Sequence, residues 1–181
     1  MLPNSHYVTR QSRWIDAPPD VVWDELHAVK LTGLPVTVAL SAVRFLPVLL
    51  SGKGFGQLHD RTFLDALPVP LLASDEQESV VFGGVLQAWR LSGGEESPQL
   101  DAEDLQRWIQ PGWVKAVMDF RLKPERGGTV LSSETRVLAT DPTTRRRFSL
   151  YWVFVQPGST AIRWELLTAV QLKAEARARV S

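Results

Sequence analysis

Over residues 113–122, every second position is apolar. Val114, Ala116, Met118, Phe120 and Leu122 alternate with Trp113, Lys115, Val117, Asp119 and Arg121, of which most are polar. A two-residue period predicts a strand with one buried face. Residues 129–140 predict its partner, with Leu131, Ser133, Thr135 and Val137 inward and Ser132, Glu134 and Arg136 outward. Gly127-Gly128 between them reads as a two-residue hairpin turn, because that turn wants positive φ at both positions. Arg126 and Thr129 then close the loop. Arg121 faces Glu134 and Asp119 faces Arg136 on the outer side, while Phe120 faces Thr135 and Met118 faces Val137 on the inner side. Each outer pair is opposite in charge, worth a few tenths to about 1 kcal/mol.

The rest of the chain alternates strand and helix signals. Residues 7–15 predict a strand rich in β-branched and aromatic side chains. Asp16-Ala17-Pro18-Pro19-Asp20 suits a helix start, with proline in the first turn and acids at the positive end of the dipole. Val22, Trp23, Leu26 and Val29 then share one helical face. Residues 34–50 predict a second helical stretch, begun near Pro35 and broken near Pro47, more apolar than a surface helix. A glycine loop follows, then a turn of helix over 62–67 and strands over 71–73 and 79–89, with Gly83-Gly84 weakening or bulging the second. Asp101 can cap a short helix reaching Ile109.

Asp141-Pro142 signals another helix, with Phe148, Tyr151, Trp152 and Val155 on one face. Gln156-Pro157-Gly158 predicts a break, and Ser159 can cap a last helix running to about Arg179. That helix is long and amphipathic, with Ile162, Leu166, Ala169 and Val170 on one side.

Composition narrows the class. The 181 residues suit a single domain over 1–181, and 44% hydrophobic with 22% charged residues is ordinary for a globular protein. Lys+Arg and Asp+Glu are 20 each, which argues against a nucleic-acid partner needing a basic surplus. There is no cysteine, so disulfides and thiolate chemistry are excluded. The first ten residues lack the apolar run of a signal peptide, so a cytoplasmic location is expected. The apolar stretch over 31–50 is interrupted by Gly33, Pro35, Arg44 and Pro47 and makes a poor transmembrane helix.

Two segments carry a family resemblance. Arg13-Trp14-Ile15-Asp16-Ala17-Pro18-Pro19-Asp20-Val21-Val22-Trp23 resembles the opening strand and helix of the START-like superfamily, which includes the polyketide cyclase/dehydrase group and the plant pollen-allergen proteins. Leu122-Lys123-Pro124-Glu125-Arg126-Gly127-Gly128-Thr129-Val130-Leu131, with Glu134-Thr135-Arg136-Val137, is similar to its late hairpin. The resemblance implies an α+β helix-grip fold, a curved antiparallel sheet wrapped around a long C-terminal helix. It also implies an internal apolar pocket. These motifs mark turns and faces, so they imply no particular chemistry.

Candidate chemistry is sparse. His6, His27 and His59 share no metal-ligand spacing, and neither a metal nor a cofactor is expected. Gly52, Gly54 and Gly56 lack the strand and the following Lys-Ser or Lys-Thr of a phosphate loop. Arg145-Arg146-Arg147 fans around a helix start and forms no single patch. Glu165 stands at the edge of the last helix's apolar face, where it could meet a ligand, act as a base, or pair with an arginine. Ser133 and Thr135 could hydrogen-bond a ligand or be satisfied by neighbours.

The expected partner is a hydrophobic small molecule held by Val114, Ala116, Met118, Phe120, Leu131, Ser133, Thr135, Ile162, Glu165, Leu166 and Val170, without catalysis. Two alternatives stand beside it. One is a cyclase- or aromatase-like enzyme using Glu165. The other is a membrane-peripheral module using residues 34–50, membrane contact being possible without being expected.

Overall fold

The alternation over 113–122 builds the middle strand of a five-stranded antiparallel sheet. The computed structural model describes residues 2–49, 61–90 and 96–180, and over 43–49 the backbone alone. Five strands, β1 (Tyr7–Ile15), β2 (Leu71–Asp75), β3 (Ser79–Leu86), β4 (Val114–Glu125) and β5 (Gly128–Ala139), stand in the order β1-β5-β4-β3-β2. Four helices accompany them: α1 (Pro19–Ala28), α2 (Pro35–Leu49), α3 (Ala102–Arg107) and α4 (Pro142–Ala178). Single 3₁₀ turns lie at Leu31–Gly33 and Leu64–Ala66. An antiparallel sheet packed against a long C-terminal helix is the α+β helix-grip arrangement that the resemblance implies.

Local signals explain the helix starts. Pro19 sits in the first turn of α1 with Asp20 beside it. Asp101 accepts the Asp104 amide at α3, and Asp141 accepts the Thr144 amide at α4. The Asp141 carboxylate also accepts the Thr144 hydroxyl and the Gly112 amide, so it ties the approach to β4 to the start of α4. These bonds hold its carboxyl down at about 2.

The break expected at Gln156-Pro157-Gly158 does not occur, and α4 is one helix of 37 residues with Pro157 inside it. An interior proline costs about 3 kcal/mol. Pro157 is exposed, so its ring lies on the solvent side, while Phe148 before it and Leu166 after it are both buried. Packing of the two halves outweighs the lost hydrogen bond.

The hairpin register also differs from expectation. Asp119 lies opposite Glu134, Phe120 opposite Ser133, Met118 opposite Thr135 and Ala116 opposite Val137. The loop is two residues long, as expected, but those residues are Arg126 and Gly127, at φ 54 and 79, closed by Glu125 and Gly128. Gly128 is needed for a different reason. A Cβ there would collide with the Ile15 carbonyl oxygen and reach within 2.9 Å of the Trp14 ring. The turn lies one residue earlier than expected and the pairing shifts by two, which keeps every side chain on its expected face.

The like-charged pair that results is compensated along the strands. Glu134 is bridged by Arg10 and Arg136, and Asp119 by Arg121. Against burial, which raises it, hydrogen bonds from Arg136 and Arg10 hold the Glu134 carboxyl below its ordinary value. Burial pushes the Asp119 carboxyl up, Arg121 pulls it back, and Glu134 adds to the rise.

The sheet is covered on both sides. On the outer face α3 buries Trp113 and Val117 together with Val85, Leu105 and Leu2, and Lys115 reaches the Gln106 carbonyl. The outward set of β4 is thus buried at its first half, because the segment before β4 folds back over it. The inner face meets α1 and α4.

Candidate functional site

The inner face of the sheet is buried at its two ends and less so between them. One apolar cluster gathers Phe120, Leu122 and Leu131 with Val22 and Leu26 of α1 and Leu166, Val170 and Ala174 of α4. A second gathers Val114, Val137 and Ala139 with Phe148, flanked by Tyr7, Trp89 and Trp152. Ala116 and Met118 lie between the clusters, on the middle strand. Both stay partly exposed although Val114 and Phe120 on either side are 0% exposed. Inward positions at the centre of a covered sheet are ordinarily the best buried, so these two mark the least covered part of the inner face. Ile162 of α4 is likewise only partly buried.

A polar patch adjoins this less covered part, Thr135 lying opposite Met118. Thr9 pairs with Thr135 and Gln11 with Ser133 across β1 and β5, which places four polar side chains in a block of inward positions. Arg163 of α4 lies over them. It is 2% exposed, and its Nη2 donates to Thr135 Oγ1 at 3.0 Å and to Ser159 Oγ at 3.1 Å. Among the described residues its Nε and Nη1 have no acceptor, and the Thr9 and Ser133 hydroxyls and the Gln11 side-chain oxygen find no partners. Burial lowers the Arg163 pKa to about 10, so the guanidinium keeps its charge at neutral pH. Among the described residues no carboxylate pairs with it.

The residues expected from the sequence take up distinct places. Val114, Phe120, Leu131, Leu166 and Val170 are fully buried in the two clusters. Ala116, Met118 and Ile162 are partly buried, and Ser133 and Thr135 belong to the polar block. Glu165 is engaged elsewhere. Its carboxylate accepts the Val36 and Thr37 amides and the Thr37 hydroxyl, each at 2.7 Å, and so caps α2 from another helix. Among the described residues no arginine pairs with it.

Arg163 was not singled out by the sequence pattern, although it carries a signal. It lies three residues before Leu166 and seven before Val170, so a cation interrupts the apolar face of an amphipathic helix. Thr9 and Gln11 likewise share strand parity with the core residue Ile15.

Other candidates resolve into structure. The His6 ring accepts the Ala139 amide, and burial, then Arg145, lower its pKa. His27 bonds the Trp23 carbonyl. His59, Asp60 and the three loop glycines lie outside the described residues, as do the side chains of residues 43–50. Among the described residues no group of His, Asp and Glu could hold a metal ion, and no helix is long and apolar enough to cross a membrane. A recess of about 200 Å³ on the outer face is lined by Asp119, Arg121, Glu134 and Arg136, whose charges are spent on one another.

No protein-family model matches the chain, and no curated protein does. Among solved structures it is similar to protein MLL2253 from Mesorhizobium loti, at 15% identity over 91% of this chain and 96% of that one, with a TM-score of 0.43. It is similar to TTHA0849 from Thermus thermophilus, at 15% identity over 95% and 99%, with a TM-score of 0.38. It is similar to the Zhui aromatase/cyclase from a Streptomyces species, at 16% identity over 94% of each chain, with a TM-score of 0.29. These likenesses run the length of the chain but are distant, and the helix-grip assignment stands on the strand order and the C-terminal helix themselves.

Proposed function

We propose that the protein binds a lipophilic small molecule between the inner face of the sheet and α4, and that it does so without catalysing a reaction. One observation carries this reading. Ala116 and Met118, at the centre of the inner face, remain partly exposed between two well-buried clusters. A gap flanked by apolar side chains and bordered by a few polar groups has the makeup of a small-molecule site, and methionine adapts its shape to an occupant.

A cyclase-like reaction would need a titratable group free to move protons at the gap. Glu165 is occupied at the α2 N-terminus, and Arg163 stays protonated at neutral pH. Binding alone is therefore the better supported reading. The test uses Nile red, a neutral apolar dye. It should brighten with the wild-type protein and not with Met118→Trp, which fills the gap while the protein stays folded by circular dichroism. A wild-type protein that leaves the dye dark, or a Met118→Trp variant that unfolds, would show a closed core at this position.

A further inference from the structure

Arg163 is the least explained side chain in the molecule. A buried guanidinium normally faces a carboxylate or a full set of acceptors, because an unpaired buried charge is costly. Here Nη2 alone is satisfied, by two neutral hydroxyls, and the donors on Nε and Nη1 find no acceptor among the described residues. The same spot holds the unpartnered hydroxyls of Thr9 and Ser133. Thr135, which accepts from Arg163, is directly opposite Met118, so this set of donors stands at the edge of the gap.

We propose that Arg163 receives the acid group of the bound molecule, which is thus a lipophilic monocarboxylic acid. This deepens the reading of the gap as a ligand site and rests on it. One guanidinium carries one positive charge, so a single carboxylate neutralises it, whereas a phosphate dianion would leave net charge buried. The Ser133 and Thr9 hydroxyls add neutral donors to the same oxygens. Because neutral acceptors alone hold the guanidinium, it can turn from Thr135 and Ser159 toward Met118 and Ile162 when a carboxylate arrives. The hydrocarbon part then lies along Ala116, Met118 and Ile162.

The experiment measures displacement of Nile red by dodecanoate and by dodecanol, which share a chain and differ in the head. The wild-type protein should favour dodecanoate by on the order of tenfold, as charge-assisted hydrogen bonds exceed neutral ones. Arg163→Met should lose the preference between the two compounds, each read against that variant's own Nile red signal, whereas Arg163→Lys should keep part of it. The Met variant should also melt no lower than the wild type, since it removes a charge with no partner. Equal displacement by the two compounds in the wild type, or a preference that survives Arg163→Met, would overturn the assignment while leaving apolar binding intact. Failure of the wild type to bind Nile red would instead overturn the ligand site itself. The wild-type comparison decides the matter even where the Met variant does not fold.

Discussion

At the residue scale, the hairpin between β4 and β5 shows two glycines doing different work. Gly127 supplies positive φ, while Gly128 keeps clear the space taken by Ile15 and Trp14. Arg126 bears the left-handed conformation that glycine would bear more easily. Arg126→Gly should therefore stabilise the protein by about 0.5–1 kcal/mol net of glycine's own entropy cost. Gly128→Ala should destabilise it by about 1–3 kcal/mol, because backbone stands in the way. Urea unfolding of the two variants checks both, and opposite signs are expected. Asp119 gives a pH-dependent case. Its folded-state pKa is raised, so its charged form is the costly one in the native protein. Asp119→Asn should raise the melting temperature at pH 7, and the gain should vanish as pH falls below the unfolded value of about 4. A variant that melts lower at pH 7 would mean that the Arg121 pair outweighs burial.

At the element scale, α2 hangs on a side chain from another helix. Pro35 begins it, and the next two amides, of Val36 and Thr37, end on the Glu165 carboxylate. Glu165→Ala should cost about 1–3 kcal/mol. Hydrogen exchange should quicken at those two amides and stay slow across β4. Unchanged protection at Val36 and Thr37 would mean that water replaces the carboxylate without loss. Helix α4 is the converse case, since it runs unbroken across Pro157 while Phe148 before it and Leu166 after it pack against the sheet.

At the scale of the whole molecule, two apolar clusters share one sheet and one helix, with the partly exposed Ala116 and Met118 between them. An occupant that joins them binds the folded state alone and stabilises it by mass action, by about 2.7 kcal/mol at a hundred times its Kd. Nile red should therefore raise the melting temperature of the wild type in a concentration-dependent way. Met118→Trp should show no such dependence. A shift of equal size in both proteins would place the dye elsewhere, with the recess beside α3 lined by Trp108 and Ile109 as the alternative to examine.

The sequence alone determined what depends on near neighbours in the chain. The faces of β4 and β5, the caps Asp101 and Asp141 and the apolar side of α1 follow from periodicity and from side chains that reach their own backbone. Tertiary structure decided what depends on residues far along the chain. The hairpin register departs from the charge-matched pairing, and charge pairing across two strands could not foresee a third strand whose Arg10 would neutralise Glu134. Glu165 was legible as a carboxylate at a helix edge, but its partner lies 128 residues away at Thr37. Arg163 could be read as a cation on an apolar face, yet its lack of a carboxylate partner among the described residues is a fact about every element packed around it. Such a fact exists only once the chain is folded.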